Sequence, residues 1–130
     1  MHPFRQAVEH KNIDAVEALL ADDVVFTSPV VFKPYTGKAI TTAILRAVSE
    51  VFQDFSYERE IGAPDACDHA LIFTATVAGK QLQGCDFLRM NEDGKIAELM
   101  VMVRPLSAAK ALAEEMGARF DAIAREAAGT

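Results

Sequence analysis

Tryptophan is missing from this chain, histidine occurs three times and cysteine twice, and basic residues are outnumbered by acidic ones. Each shortage removes a class of function. Cys67 and Cys85 are too few for a disulfide framework and too far apart for a metal-ligand pair. His2, His10 and His69 are scattered, none at helical spacing with a second ligand, so no metal site is expected. Thirteen Lys and Arg against nineteen Asp and Glu leave a net charge of −6. That balance excludes nucleic acid as a partner, because phosphate binding needs a basic surface. No apolar run reaches the roughly 18 residues of a membrane-spanning helix. The opening MHPFRQAVEHKN lacks the charged-then-apolar order of a secretory signal, so the expectation is a cytoplasmic protein without a membrane partner.

What is present fits an ordinary globular core. Hydrophobic residues make up 51% and charged residues 25% of 130 residues. That length supports one domain over residues 1–130, with neither repeat nor linker. Residues 3–11 suggest a short helix, with Phe4, Ala7 and Val8 on one side. Asn12 is placed to cap a second, in which Ile13, Val16, Leu19 and Leu20 recur at helical spacing. Ala21-Asp22-Asp23 is expected to end that helix, and Val24 to Ser28 to form a strand that Pro29 stops. Residues 29–37 form a loop carrying Val31, Phe32 and Tyr35, apolar side chains of the kind that line or cover something. Lys38 to Phe52 returns to a helical stripe.

Strands then follow, over Phe55–Ile61, His69–Ala78, Gln81–Met90 and Ile96–Arg104. Gly79-Lys80 makes a two-residue hairpin and Asn91–Lys95 the next turn. Ser107 is expected to cap a last helix reaching residue 127, with Leu112, Met116, Phe120 and Ile123 as its core stripe. Helices, then a meander, then a helix make an α+β fold. The expected form is a curved antiparallel sheet wrapped by the N-terminal helices into a cone (core 3–105), with an added C-terminal helix.

Side chains of a strand alternate between faces. A Gly79-Lys80 turn sets Phe73 opposite Asp86 and Leu71 opposite Leu88; the next turn sets Asp86 opposite Val101. The covered face then holds Leu71, Phe73, Ala75, Val77, Leu82, Asp86, Leu88, Leu99, Val101 and Val103, with Asp86 as its sole ionisable member. The other face carries Ile72, Cys85, Phe87, Met100, Met102 and Arg104. Such an apolar patch is rarely left in water, so a homodimer interface is expected there, the alternative being cover by the last helix.

The segment AVEALLADDVVFTSPV, then Gly37-Lys38-x-Ile40, then G-x-D-x-x-R-x-x-x-D-G-K-I from Gly84 to Ile96 and the closing Arg104-Pro105 resemble the NTF2-like superfamily. Its SnoaL-like and ketosteroid-isomerase-like branches are most similar, over residues 3–105. The resemblance implies a cystatin-like cone around an apolar pocket, a scaffold that hosts cyclases, isomerases, hydrolases and binders. The isomerase base corresponds to Ser28, which cannot abstract a carbon-bound proton unaided, and the oxyanion tyrosine corresponds to Phe4, which has no proton to donate. The third group, a carboxylic acid in an apolar site, corresponds to Asp86. Ketosteroid isomerisation is therefore not expected, and neither is a cofactor.

Asp86 is the candidate catalytic residue, a pocket acid with its pKa raised by desolvation. The alternative is an ion satisfied by Tyr35, a backbone amide or water, serving packing and polarity only. The pocket is expected to be lined by Phe4, Val8, Leu20, Phe26, Ser28, Phe32, Tyr35, Leu71, Phe73, Leu88, Leu99 and Val101 around Asp86. A small hydrophobic ligand with one polar group suits it. Alternatives are an acid/base enzyme of cyclase or isomerase type and a dimeric interaction module. Cys85 is read as a small hydrophobe, Arg104 as an edge or interface ion pair, and His69 as solvated.

Overall fold

A computed structural model describes residues 1–129; Thr130, the last residue of the expected domain, lies outside the described residues. Pro3–Glu9 (α1) and Ile13–Leu19 (α2) are followed by strands Leu20–Thr27 (β1) and Tyr35–Thr36 (β2) and by helix Lys38–Val51 (α3). Strands Gln53–Ile61 (β3), Asp68–Val77 (β4), Lys80–Met90 (β5) and Ile96–Arg104 (β6) then precede helix Leu106–Ala127 (α4). The sheet order is β2-β1-β6-β5-β4-β3.

The fold is the expected α+β type, with three corrections of layout. β1 lies parallel to β6, so the sheet is mixed and not wholly antiparallel. Ala21-Asp22-Asp23 does not end a helix but runs inside β1, where a register shift between Leu20 and Val25 leaves both aspartates exposed. Tyr35–Thr36, assigned to a loop, pairs with Val25 and Phe26 as an edge strand.

Caps explain the helix starts. Asn12 Oδ1 accepts from Ala15 N at 3.1 Å, as its position suggested. His2 Nδ1 does the same for Phe4 N at 3.0 Å, with Pro3 opening α1. Ser107 caps nothing. The last helix begins at Leu106 behind Pro105, whose fixed φ already suits a helix entry.

The β4–β5 hairpin turns at Ala78-Gly79, not at Gly79-Lys80. Both residues take positive φ, 48° and 79°, and Val77 pairs with Lys80. Phe73 is thus opposite Gly84, and Leu71 opposite Asp86. The slip is two residues, so every side chain keeps its face. The β5–β6 register is as expected, Asp86 opposite Val101 and Leu88 opposite Leu99.

α1, α3 and α4 pack on the inward face, and α2 packs on α1 and α3. Leu71, Phe73, Val77, Leu88, Ile96 and Leu99 are sealed there with Phe4, Val16 and Leu112 in one contiguous core. The last helix packs on α3 and on this same face, with Arg46 Nε bonded to Glu126 Oε2 at 3.1 Å between them. It does not cover the outer face, where Phe87, Met100 and Met102 stand exposed.

Gly84 has a specific packing reason. A Cβ built on it would run into the Phe73 ring and lie 2.9 Å from the Met102 carbonyl. Its absence lets Phe73 lie across β5 and stack on Phe55, with ring centroids 4.9 Å apart. Gly84→Ala must displace that ring. A loss of about 2 kcal/mol is expected, read as a lower urea midpoint at unchanged slope.

Candidate functional site

An inward-opening cavity of about 960 Å³ lies between the sheet and the helices. Each element contributes for a local reason. α1 turns Phe4 and Val8 inward one turn apart, β1 delivers Phe26, and Ser28 follows just past the end of that strand. α3 supplies Ile44, Leu45 and Val48, and the last helix supplies Leu112, Met116 and Phe120. Phe52, Phe55 and Phe73 make an aromatic wall, Phe52 to Phe55 at 5.9 Å and Phe52 to Phe73 at 5.8 Å. Charged side chains in the lining, among them Glu9, Lys11, Glu50 and Asp54, are exposed or half-buried at its rim.

Asp86 is the one carboxyl of the lining that is buried, 7% exposed. Its partner is Tyr57, whose hydroxyl donates to Asp86 Oδ2 at 2.6 Å. Tyr57 is the sole buried residue of β3. Register shifts on both sides of it, between Gln53 and Ser56 and between Tyr57 and Arg59, break the strand's alternation and aim this ring inward.

The electrostatics of the pair follow from two opposed effects. Burial disfavours the Asp86 anion, while the Tyr57 hydrogen bond favours it. Burial wins, and the carboxyl is pushed up from 3.8 to about 7. The Tyr57 phenol is driven far above its ordinary value, first by burial and then by Asp86, so it stays protonated. The pair therefore holds one exchangeable proton near neutral pH, on Asp86.

With that geometry in place, the chain can be set beside known proteins. The SnoaL-like domain profile matches residues 2–99. This chain belongs to the SnoaL-like family. A steroid delta-isomerase from Pseudomonas aeruginosa is similar at 38% identity and TM-score 0.85, over 92% of this chain and 87% of its own. An uncharacterized bacterial protein with a cystatin-like fold from Silicibacter pomeroyi is similar at 34% identity and TM-score 0.88, over 95% and 86%. A putative ketosteroid isomerase from Kribbella flavida, at 22% identity and TM-score 0.64 over 79% and 73%, shares the fold. No curated protein matches the chain.

Within this SnoaL-like domain, Phe4, Val8, Phe26, Ser28, Tyr35, Asp86 and Val101 all line the cavity. Other expected lining residues do not. Leu20, Leu71, Phe73, Leu88 and Leu99 point inward but are closed over, each 2% exposed or less, and belong to the core, Phe73 backing the aromatic wall. Phe32 stands outside, 99% exposed at the tip of its loop. Tyr35 does not reach Asp86; its ring sits 6.4 Å from Phe26 and 6.1 Å from Phe120. Ser28 Oγ accepts from Val30 N at 3.1 Å and so holds the loop entry.

The remaining candidates divide similarly. Cys85 is half-buried on the outer face, its thiol pushed up by burial and by Asp86. Among the described residues Arg104 makes no ion pair, and it donates to Gln83 Oε1 at 3.3 Å. His69 is buried, not solvated, edge-on to His2 at 4.6 Å. Met116 and Phe120, expected as core, face the cavity.

Asp86 couples the site to stability. The folded chain retains a proton that an unfolded carboxyl releases, so stability falls as pH rises from about 4 to about 7 and is level beyond. Asp86→Asn keeps the acceptor for Tyr57 and removes the titration. Denaturant midpoints should show the wild type losing on the order of 3 kcal/mol relative to this variant across that window. Equal pH profiles for the two chains would contradict a raised Asp86.

Proposed function

We propose that this SnoaL-like domain binds a small, largely hydrophobic molecule in the cone and meets its one polar oxygen with the Tyr57–Asp86 pair. The observation that carries this reading is the single buried, bonded carboxyl in an apolar cavity of about 960 Å³, a size that suits a small organic ligand. Protonated, Asp86 offers a hydrogen to a carbonyl; ionised, it accepts one from a hydroxyl.

A second reading is supported by the carboxyl near 7 and by 38% identity to a steroid delta-isomerase. Here Asp86 works as a cofactor-independent acid and base of the cyclase or isomerase kind. As carboxylate it takes a proton from carbon beside a ligand carbonyl, and as acid it returns that proton elsewhere on the same molecule. Ser28 and Phe4 stand where the isomerase pattern has its base and its tyrosine, so this chemistry is not the ketosteroid isomerase mechanism. Asp86 would have to act alone.

We also place the outer face against a second copy of the chain. Phe87, Met100 and Met102 form its apolar centre with Ile72 and Cys85, and Arg89, Glu98 and Arg104 edge it with both charge signs. A patch of that composition is complementary to itself across a two-fold axis. Two unpaired thiols agree with a reducing, cytoplasmic setting.

Binding is tested with N-phenyl-1-naphthylamine, a neutral fluorescent probe. Saturable enhancement is expected, and Val101→Phe, which narrows the cavity beside Asp86, should weaken it about tenfold. A wild-type chain that gives no saturable signal, or a variant that binds equally, would remove the binding reading. The dimer is tested by light scattering on the double variant Phe87→Glu, Met102→Glu. A mass halved against wild type is expected, and an unchanged mass rejects this face.

A further inference from the structure

Arg5 lies on α1 behind the cavity wall and takes no part in its lining. Its guanidinium carbon stands 5.8 Å from the Tyr57 ring centroid, facing the ring. Nη2 donates to the Tyr57 carbonyl at 3.5 Å. Two carboxylates hold it there. Glu60 Oε1 is 3.7 Å from Nη1, and Glu9 Oε1 is 3.4 Å from Nε. Glu60 is itself fixed, each oxygen accepting from His2 N at 3.1 Å.

The hydrogen bonding around Arg5 is thin: Nε, though buried, has the Glu9 carboxylate at 3.4 Å without a hydrogen bond of good geometry, and Nη2 makes a single long bond. Beyond its two ion pairs, the guanidinium supplies positive charge over the face of one ring. A cation there draws electron density from the phenol and makes its hydroxyl a better donor.

We propose that Arg5 is a positioning residue for the Tyr57–Asp86 pair, fixing the ring of Tyr57 and strengthening the hydrogen bond that its hydroxyl gives to Asp86. The inference rests on the pair being the polar contact of the site. The charged and titratable groups facing it are few. Around Arg5 they are Glu9, Glu60 and Tyr57, and around Tyr57 they are Arg5, Glu9 and Asp86. Glu9 opposes Arg5 at the phenol and weighs more there by charge alone, so what Arg5 adds is its place over the face of the ring. A stronger bond from Tyr57 favours the Asp86 anion, so Arg5 holds down a carboxyl that burial pushes up.

The test is a carbon-13 NMR titration of the Asp86 carboxyl in wild type, Arg5→Met and Arg5→Lys, each repeated in the Tyr57→Phe background. Arg5→Met should raise the midpoint by about half a pH unit, and Arg5→Lys by less. In the Tyr57→Phe background both changes should vanish, because the effect travels through the hydroxyl. An unmoved midpoint would show Arg5 to be only a packing residue. An equal movement in both backgrounds would show a direct charge effect that bypasses Tyr57. Either result overturns the proposal. If Arg5→Met fails to fold, Arg5→Lys and Glu60→Gln, which frees the guanidinium from its anchor, give the same comparison. The titration needs no ligand, so a failure of probe binding and a failure of this coupling are separate results.

Discussion

One hydrogen bond, from the Tyr57 hydroxyl to Asp86, sets the terms for the surrounding structure. A carboxyl in an apolar cavity must find a partner or give up its charge. Two or three donors would fix it as a permanent anion, able to accept but never to give. No donor would leave it a permanent acid. A single phenol leaves it between those limits, near 7, where both forms are present at neutral pH. The phenol cannot take over the charge, because burial and the neighbouring carboxylate both keep its own proton on.

Holding one phenol against one carboxyl shapes three strands. Asp86 needs β5 to keep strict alternation, and from Lys80 to Leu88 it does, with burial on every second residue from Leu82. Tyr57 needs the opposite. Its strand is broken by two register shifts and opens near Asp54, whose φ is 51°, and Tyr57 turns inward beside Phe55 from an otherwise exposed ribbon. β4 carries Phe73 between them, and that ring fits only because Gly84 opposite has no side chain. The glycine of the Gly84-Cys85-Asp86 triplet is thus a packing requirement of the aromatic wall beside the acid.

The same contrast explains what the sequence made legible. Asp86 could be found because a regular strand tells which residues share a face, and the hairpin slip at Ala78-Gly79 moved the pairing by an even number. That slip itself was hidden, since alanine is a poor candidate for positive φ and the neighbouring Gly79-Lys80 looked the better turn. Tyr57 was missed because Phe55 and Tyr57 share the inward face but the break before Arg59 leaves too short a run of alternation to place them. Leu71, Phe73, Leu88 and Leu99 were put on the correct face and at the wrong depth. Periodicity gives direction, whereas depth depends on how closely the covering elements settle, and here the core closes over those leucines and leaves space nearer Phe52 and Val101. His69 was misjudged for a related reason: its burial comes from His2, sixty-seven positions away in sequence, packing edge-on against it.

The departures from the isomerase pattern constrain what any chemistry here could be. Two groups at separate positions can move a proton from one atom to another while a third steadies the charge that develops. With Ser28 and Phe4 in place of two of them, the cavity keeps one buried titratable carboxyl, and the acids at the rim, Glu9, Glu50 and Asp54, are too well hydrated to act as strong partners in the apolar interior. On the acid/base proposal, a proton taken by Asp86 could go back only to atoms within its own reach, and the ligand would have to bear the charge left meanwhile. That favours molecules whose conjugation spreads such a charge, and for molecules without it the same geometry can do no more than bind. The difference between a binder and an enzyme on this scaffold then lies as much in the electronic structure of the guest as in the protein.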